Sequence, residues 1–206
     1  MKRPRVRAMV GLVTLLFAAA ACVPTRESSE LPLVALLNGP AQAALTGSAE
    51  GVQSELERDT GKPFELASAF SMRFLESHTD LFHSRAAPGA ARIARSQGAD
   101  LAIMVGAPVL VRDVAVSRDS ASRRIDVQVA LEAQVVDPRT DAVVQVLRTR
   151  TFSGSRVEAN DAPVVDVEDD TTVQALRDAA VPELAAAIRA ELPYLVRELL
   201  IGSSGG

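Results

Sequence analysis

Two histidines, one cysteine and one run of carboxylates are the side chains whose types could carry chemistry. His78 and His83 stand five positions apart, which does not put both on one helical face. A metal centre there would need Glu76 or Asp80 and further ligands, so polar surface histidines are the simpler expectation. A hydrolase site assembled from scattered residues such as His78, His83 and Asp80 is the enzymatic alternative. Asp166, Glu168, Asp169 and Asp170 could hold calcium through oxygen ligands. They lack the spacing and central Gly of an EF-hand loop. They predict instead a solvated loop whose charge favours the amino end of the helix that follows. No serine sits in a Gly-x-Ser-x-Gly strand-to-helix elbow; the string Gly202-Ser203-Ser204-Gly205-Gly206 has that spacing but belongs to the carboxy-terminal tail. Gly98 and Gly106 are eight apart without a following Lys-Ser/Thr, so no phosphate loop is present. The expectation is no catalytic residue, no metal and no cofactor, hence no enzyme.

Cys22 is the one cysteine in the chain. Lys2, Arg3, Arg5 and Arg7 form a basic opening, and Met9 to Ala21 is apolar but too short to span ~20 residues of membrane. The stretch ends in Ala19-Ala20-Ala21-Cys22. Small residues before a cysteine resemble the lipobox of bacterial lipoproteins, although position 19 holds Ala where those prefer Leu. That resemblance implies a signal peptide over 1–21, removed on export, and lipidation of Cys22, with palmitate among the acyl chains. Exported proteins usually pair or avoid a lone thiol, and lipidation accounts for this one. Val23 rather than Asp follows, so the inner-membrane retention signal of some bacteria is absent. Residues 22–30 then read as a tether, its eight residues past Cys22 reaching at most ~3.3–3.6 Å each.

The first 22 residues hold four basic and no acidic side chains, so the remainder carries 18 against 26, a net of −8. An acidic body with no Trp, one Tyr and five of the chain's six Phe lacks the basic stripe and stacking platforms of a nucleic-acid binder. Membrane attachment would come through the lipid on Cys22, which is stable only with several acyl chains.

These features need a body to carry them, and the clearest part of it runs from Gly98 to Gly154. Ile125, Val127, Val129, Leu131, Ala133 and Val135 alternate with Asp126, Gln128, Ala130, Glu132 and Gln134, a period of two that predicts a strand with one apolar and one polar face. Asp137-Pro138-Arg139-Thr140-Asp141 predicts a turn, and Ala142 to Ser153 a returning strand. Ala99 to Gly106 predicts a strand covered on both faces, with Pro108 an interruption, edge or bulge. Val109 to Val116 continues extended, and Ser117 to Arg123 forms a polar tip. Arg148 and Arg150, with Arg123 and Arg124 near the other end of the hairpin, could give the sheet a basic patch, but a solvated face is the simpler expectation. Ser153-Gly154-Ser155 opens a loop that is acidic from Glu158 to Asp170.

Around this sheet, Leu31 to Leu37 predicts a first strand stopped by Asn38-Gly39-Pro40. Ala41 to Thr60 reads as a helix weakened by Gly47 and Gly51 and stopped by Gly61-Lys62-Pro63. Phe64 to Phe82 mostly suits a further helix, with Thr79 to Ser84 a strand or loop. Pro88 to Gln97 reads as a helix closed by Gly98 at its C′ position. Asp170-Thr171-Thr172 offers N-cap residues. Val173, Leu176, Ala180, Leu184, Ile188, Leu192, Leu195 and Leu199 then form an amphipathic carboxy-terminal helix, which Pro182 and Pro193 should kink or divide. Gly202 to Gly206 is a frayed tail. The predicted fold class is α/β (α+β): one mixed β-sheet with a long antiparallel hairpin and helices packed against it, in a single domain over 31–201.

The element order, with Arg92-Ile93-Ala94-Arg95-Ser96-Gln97-Gly98-Ala99-Asp100 before an apolar strand and the hairpin after it, resembles a group of bacterial envelope α/β domains. The group includes the amino-terminal domain of TolB, the curli-secretion lipoprotein CsgG and LpoB, the lipoprotein activator of a penicillin-binding protein. Members often have Gly where Asp141 stands. The resemblance implies a non-enzymatic, lipid-anchored role in the cell envelope, in the outer membrane facing the periplasm where the cell has one. A binding or assembly module with an envelope protein partner and possible oligomers is expected. A subunit of an oligomeric secretion complex is a second alternative. Two specific roles do not carry over: eight tether residues are too few for the reach of the penicillin-binding-protein activator, and the 124–153 hairpin is one-sided polar, unlike the barrel-forming hairpins of the curli channel.

Overall fold

The alternation over 125–135 does form a strand, and the rest of the chain is arranged on it. The computed structural model describes residues 31–39, 45, 47–58, 61, 64–67, 86–118 and 121–201. Among these, the elements run β1 (Leu33–Asn38), α1 (Ser48–Glu57), β2 (Glu65–Leu66), α2 (Ala86–Ser96), β3 (Leu101–Val116), β4 (Ser122–Asp137), β5 (Ala142–Arg148), β6 (Phe152–Ala159) and α3 (Thr171–Ile201). One sheet has the order β2-β1-β3-β4-β5, and β6 also pairs with β4. β1 pairs in parallel with β2 and β3, whereas β4 pairs antiparallel with β3, β5 and β6, so the sheet is mixed.

The pleat sorts the core into two layers. Val34, Leu36, Ile103, Val105 and the 125–135 apolar row pack on α1 and α3, through Val52, Leu56, Leu184, Ile188 and Leu192. Ala35, Leu37, Ala102, Met104 and Val136 face the other way, onto Ala87, Ala90, Ala91 and Ala94 of α2. The predicted carboxy-terminal stripe is realised: Val173, Ala180, Leu184, Ile188 and Leu192 are fully buried, and Leu176, Leu195 and Leu199 pack against them. Each large side chain in these layers stabilises the fold by roughly 1.5–3 kcal/mol.

β3 keeps its face through a bulge. Gly106 pairs with Glu132 and Val109 with Ala130, so Ala107 and Pro108 together oppose Leu131. The extra residue switches which of its positions face α3, from odd-numbered before the bulge to even-numbered after it. Pro108 lacks the N–H that regular pairing would use, which is why the bulge sits there.

The first-strand expectation holds with a shift to Leu33–Asn38. Five expectations are corrected. The helix expected over 41–60 begins at Ser48 after Gly47, which sits at φ 82°. Glu65 and Leu66 form a short strand rather than helix, because their backbone pairs with β1: Glu65 N–H donates to Pro32 O at 2.8 Å and Ala67 N–H to Val34 O at 2.8 Å. The remainder of 68–85 lies outside the described residues. The strand returning after the turn stops at Arg148, and Ser153-Gly154-Ser155 belongs to β6 rather than to a loop. Thr149 makes that break possible, since its Oγ1 accepts from Leu131 N–H at 3.0 Å and its N–H donates to Leu131 O at 3.0 Å. Of the two outcomes expected at Pro182 and Pro193, division does not occur: α3 runs through both, held on both sides of each proline by buried residues. The polar row of β4 is not all solvated, because Ala130, Glu132 and Gln134 are buried.

Two turns fasten the helices to the sheet. Gly98, at φ 66°, ends α2: its N–H donates to Arg95 O at 3.1 Å and Ala99 N–H reaches back to Ala94 O at 2.9 Å, the two bonds of a Schellman motif. Asp100 then receives Leu33 N–H on its Oδ2 at 2.8 Å and starts β3 beside β1. No atom stands within 4 Å of the Cβ that a side chain would add at Gly98, so Gly98→Ala meets only the backbone penalty. It is expected to lower stability by about 1–2 kcal/mol, read as a drop of a few degrees in Tm. At the hairpin turn Asp137 Oδ1 accepts from Arg139 N–H at 2.9 Å, and Asp141 itself takes the left-handed conformation, φ 59°. Burial pushes the Asp137 pKa up, but Arg139 outweighs it and holds it below the ordinary value. Arg95 binds Pro138 O and Asp141, and Arg139 Nη1 donates to Leu199 O at 2.8 Å, so both α2 and the end of α3 are tied to this turn.

Candidate functional site

The far end of the sheet, where β3, β4 and β6 run past the helix α2, carries a concentrated set of paired charges. Its two faces differ. Position by position, Asp113 pairs with Asp126 and Asp126 with Ser155; Val111 pairs with Gln128 and Gln128 with Ser153; Arg124 pairs with Val157. Residues directly paired across strands share a face, so these rungs line one surface. The alternate rungs, among them Arg112, Val127 and Gly154, or Arg123 and Glu158, line the face toward α3.

The α3-side face is closed by a ladder of charges. Asp170 is the N-cap of α3: its Oδ1 accepts from Thr172 N–H at 2.9 Å and Val173 N–H at 3.4 Å, and it also receives Arg156 Nη1. Arg112 Nε lies 3.2 Å from Asp170 Oδ2, close enough for an ion pair but off the line of a hydrogen bond. Arg156 Nη1 donates to Thr172 Oγ1 at 2.9 Å, and its Nε to Glu158 Oε2 at 3.3 Å. Arg123 Nε reaches the other Glu158 oxygen at 2.7 Å. Arg123 also donates to Ala162 O at 2.9 Å and Arg112 to Val165 O at 2.8 Å, which straps the 160–169 loop over the sheet. Burial raises the Asp170 pKa, but Arg156 and the helix amides overcome it and leave it below 3.8. Arg123 chiefly holds Glu158 below its ordinary value, and Asp170 raises that of Arg156.

The ladder settles two sequence expectations. The acidic run does favour the amino end of α3, through Asp170, whose carboxylate is turned inward. Of the two readings of the arginines, the basic patch is the one that fails, while Arg124, Arg148 and Arg150 do face solvent. Arg123 pairs with Glu158, Arg124 with Asp126, Arg148 with Glu132 and Arg150 with Glu183, so each guanidinium is neutralised by a carboxylate its own fold supplies. Among the described residues no group of three or more His, Cys, Asp or Glu side chains could hold a metal ion.

The opposite face of this region is open. Asp113, Arg124, Asp126, Gln128, Ser153 and Ser155 line a shallow groove of about 450 Å³ across the three strands. Arg124 Nε donates to Asp126 Oδ1 at 2.9 Å, which offsets the repulsion of two carboxylates set directly opposite each other. Val111 and Val157, 40% and 69% exposed, stand at its two margins. The sequence marks Asp126 and Gln128 as a polar row. Asp113 cannot be assigned to the same side without the bulge, and Ser153 and Ser155 have the composition of a loop. Cys22, the 1–21 segment, the 22–30 tether, Glu76, His78, Asp80, His83 and the 202–206 tail lie outside the described residues. Among the described residues no helix is long and apolar enough to cross a membrane.

No family model and no curated protein matches the sequence. Solved structures do align with it. A minor lipoprotein from Acinetobacter baumannii shares 11% identity over 79% of this chain and 90% of its own, with a TM-score of 0.34. Lipoprotein GNA1162 from Neisseria meningitidis shares 12% over 75% of this chain and 99% of its own, with a TM-score of 0.35. The PelC dodecamer from Paraburkholderia phytofirmans shares 12% over 77% of this chain and 87% of its own, with a TM-score of 0.35. At such scores these likenesses transfer no property of those proteins to this chain.

Proposed function

We propose that the chain is a membrane-anchored envelope lipoprotein that acts as a non-enzymatic binding or assembly module. The observation that carries this reading is Cys22: a single thiol placed after a basic opening, an apolar stretch and three alanines, a few residues before β1 begins at Leu33. On this reading residues 1–21 are removed, Cys22 becomes the acylated amino terminus and 23–30 holds the 31–201 domain close to the membrane. The resemblance to the TolB, CsgG and LpoB group, carried by the Arg92–Asp100 segment and the hairpin after it, points the same way. The net charge of −8 beyond Cys22 makes the lipid, rather than the protein surface, the contact with anionic headgroups.

Radiolabelled palmitate is expected to enter the wild-type protein and not Cys22→Ser, with the variant released from the membrane fraction. Label absent from the wild type, or present equally in both, overturns the anchor. Crosslinking in intact envelopes that recovers no protein partner overturns the binding role.

A further inference from the structure

We propose that the open groove on β3, β4 and β6 binds a neutral oligosaccharide. This inference rests on the groove alone and does not need the anchor. The sheet presents two carboxylates, a guanidinium, an amide and two hydroxyls on one concave surface of about 450 Å³. Their spacing is set by backbone register, with Asp113, Asp126 and Ser155 on one rung and Gln128 and Ser153 on the next. Carboxylates accept in two directions, the guanidinium and amide donate in two, and hydroxyls do both. A sugar ring carries hydroxyl groups that each donate and accept, so it can satisfy this mixture without bringing a charge. The exposed Val111 and Val157 at the margins offer apolar contact to the C–H faces of such rings.

Other ligand classes fit less well. An anion meets two carboxylates and one guanidinium already paired at 2.9 Å. A cation meets that same guanidinium lying against one of its two carboxylates. An apolar ligand would strip water from six polar side chains without replacing their hydrogen bonds.

The test is isothermal titration calorimetry on the full-length protein in detergent. Cellotetraose, maltotetraose and chitotetraose are the probes, with calcium chloride and inorganic phosphate as the charged comparisons. Saturable binding of at least one tetrasaccharide is expected, weakened roughly five- to tenfold in Gln128→Ala, as expected for the loss of a hydrogen-bonding partner. Cys22→Ser should bind as the wild type does, which separates this result from the fate of the anchor. An unchanged Tm in Gln128→Ala shows that the loss is local, and Ser155→Val supplies a second variant on the neighbouring rung. The proposal is overturned if none of the sugars binds, if binding is unaltered in both variants, or if calcium or phosphate binds in place of sugar with loss in Asp113→Asn or Arg124→Gln.

Discussion

Val129→Asp is expected to leave no cooperative unfolding transition. Val129 has no solvent exposure, and its neighbours across the strands are Leu110 and Phe152, on the face packed by α3. A carboxylate there would be unpaired in an apolar layer, and it would also forfeit the valine's own burial. Effects of this kind exceed the 4–5 kcal/mol that marks exceptional substitutions and rival the whole stability of a small domain, about 5–15 kcal/mol. Gln128→Asp, one position away on the exposed face, should cost only about 1 kcal/mol, because it adds a like charge beside Asp126 and lowers strand propensity but buries no charge. A thermal melt followed by circular dichroism compares the two. Equal melts for both would mean that Val129 and Gln128 do not lie on opposite faces of β4.

Arg156→Leu should be the second most damaging change, and its effect should depend on pH. The substitution removes the guanidinium that binds the fully buried Asp170 side chain. Deleting one member of a buried pair costs about 3–5 kcal/mol, and the lower end is expected because Arg112 and two helix amides still face Asp170. The sign with pH follows from the depressed pKa values. Asp170 and Glu158 titrate in the folded protein below their unfolded values of 3.8 and 4.5. The stability they contribute is therefore present above those values and is lost as pH falls through the lower folded ones. Wild type and Arg156→Leu should differ most near neutral pH and converge in acid. A difference in urea midpoint that stays constant down to acid pH would show that Arg156 acts by packing alone.

Much of the fold was legible because its strands and helices obey simple periods. The 125–135 alternation, the 173–199 stripe, the Gly98 cap and the Asp170 cap each depend on residues close together in the chain, so local rules suffice. What sequence could not show depends on partners distant in the chain. Ser153-Gly154-Ser155 has loop composition, yet it is strand because it pairs with Gln128, Val127 and Asp126 of β4, and Gly154 is small where α3 crosses. A Cβ there would stand 3.2 Å from Thr172 Cγ2. Arg123, Arg148 and Arg150 look like a patch until Glu158, Glu132 and Glu183 are placed beside them. The groove is the extreme case, because its rungs exist only once the bulge at Ala107-Pro108 has set which residues of β3 share a face with Asp126.

The parallel pairing of β1 with β3 has a consequence for the order of events in folding. β3, β4, β5 and β6 are joined by short turns, so they can zip together with little loop-closure cost. β1 cannot, because Leu33 meets Asp100 across 67 positions of chain. Until β3 has followed it in the chain, β1 can pair only with the two residues of β2. The long parallel junction between β1 and β3 is therefore the step expected to close last.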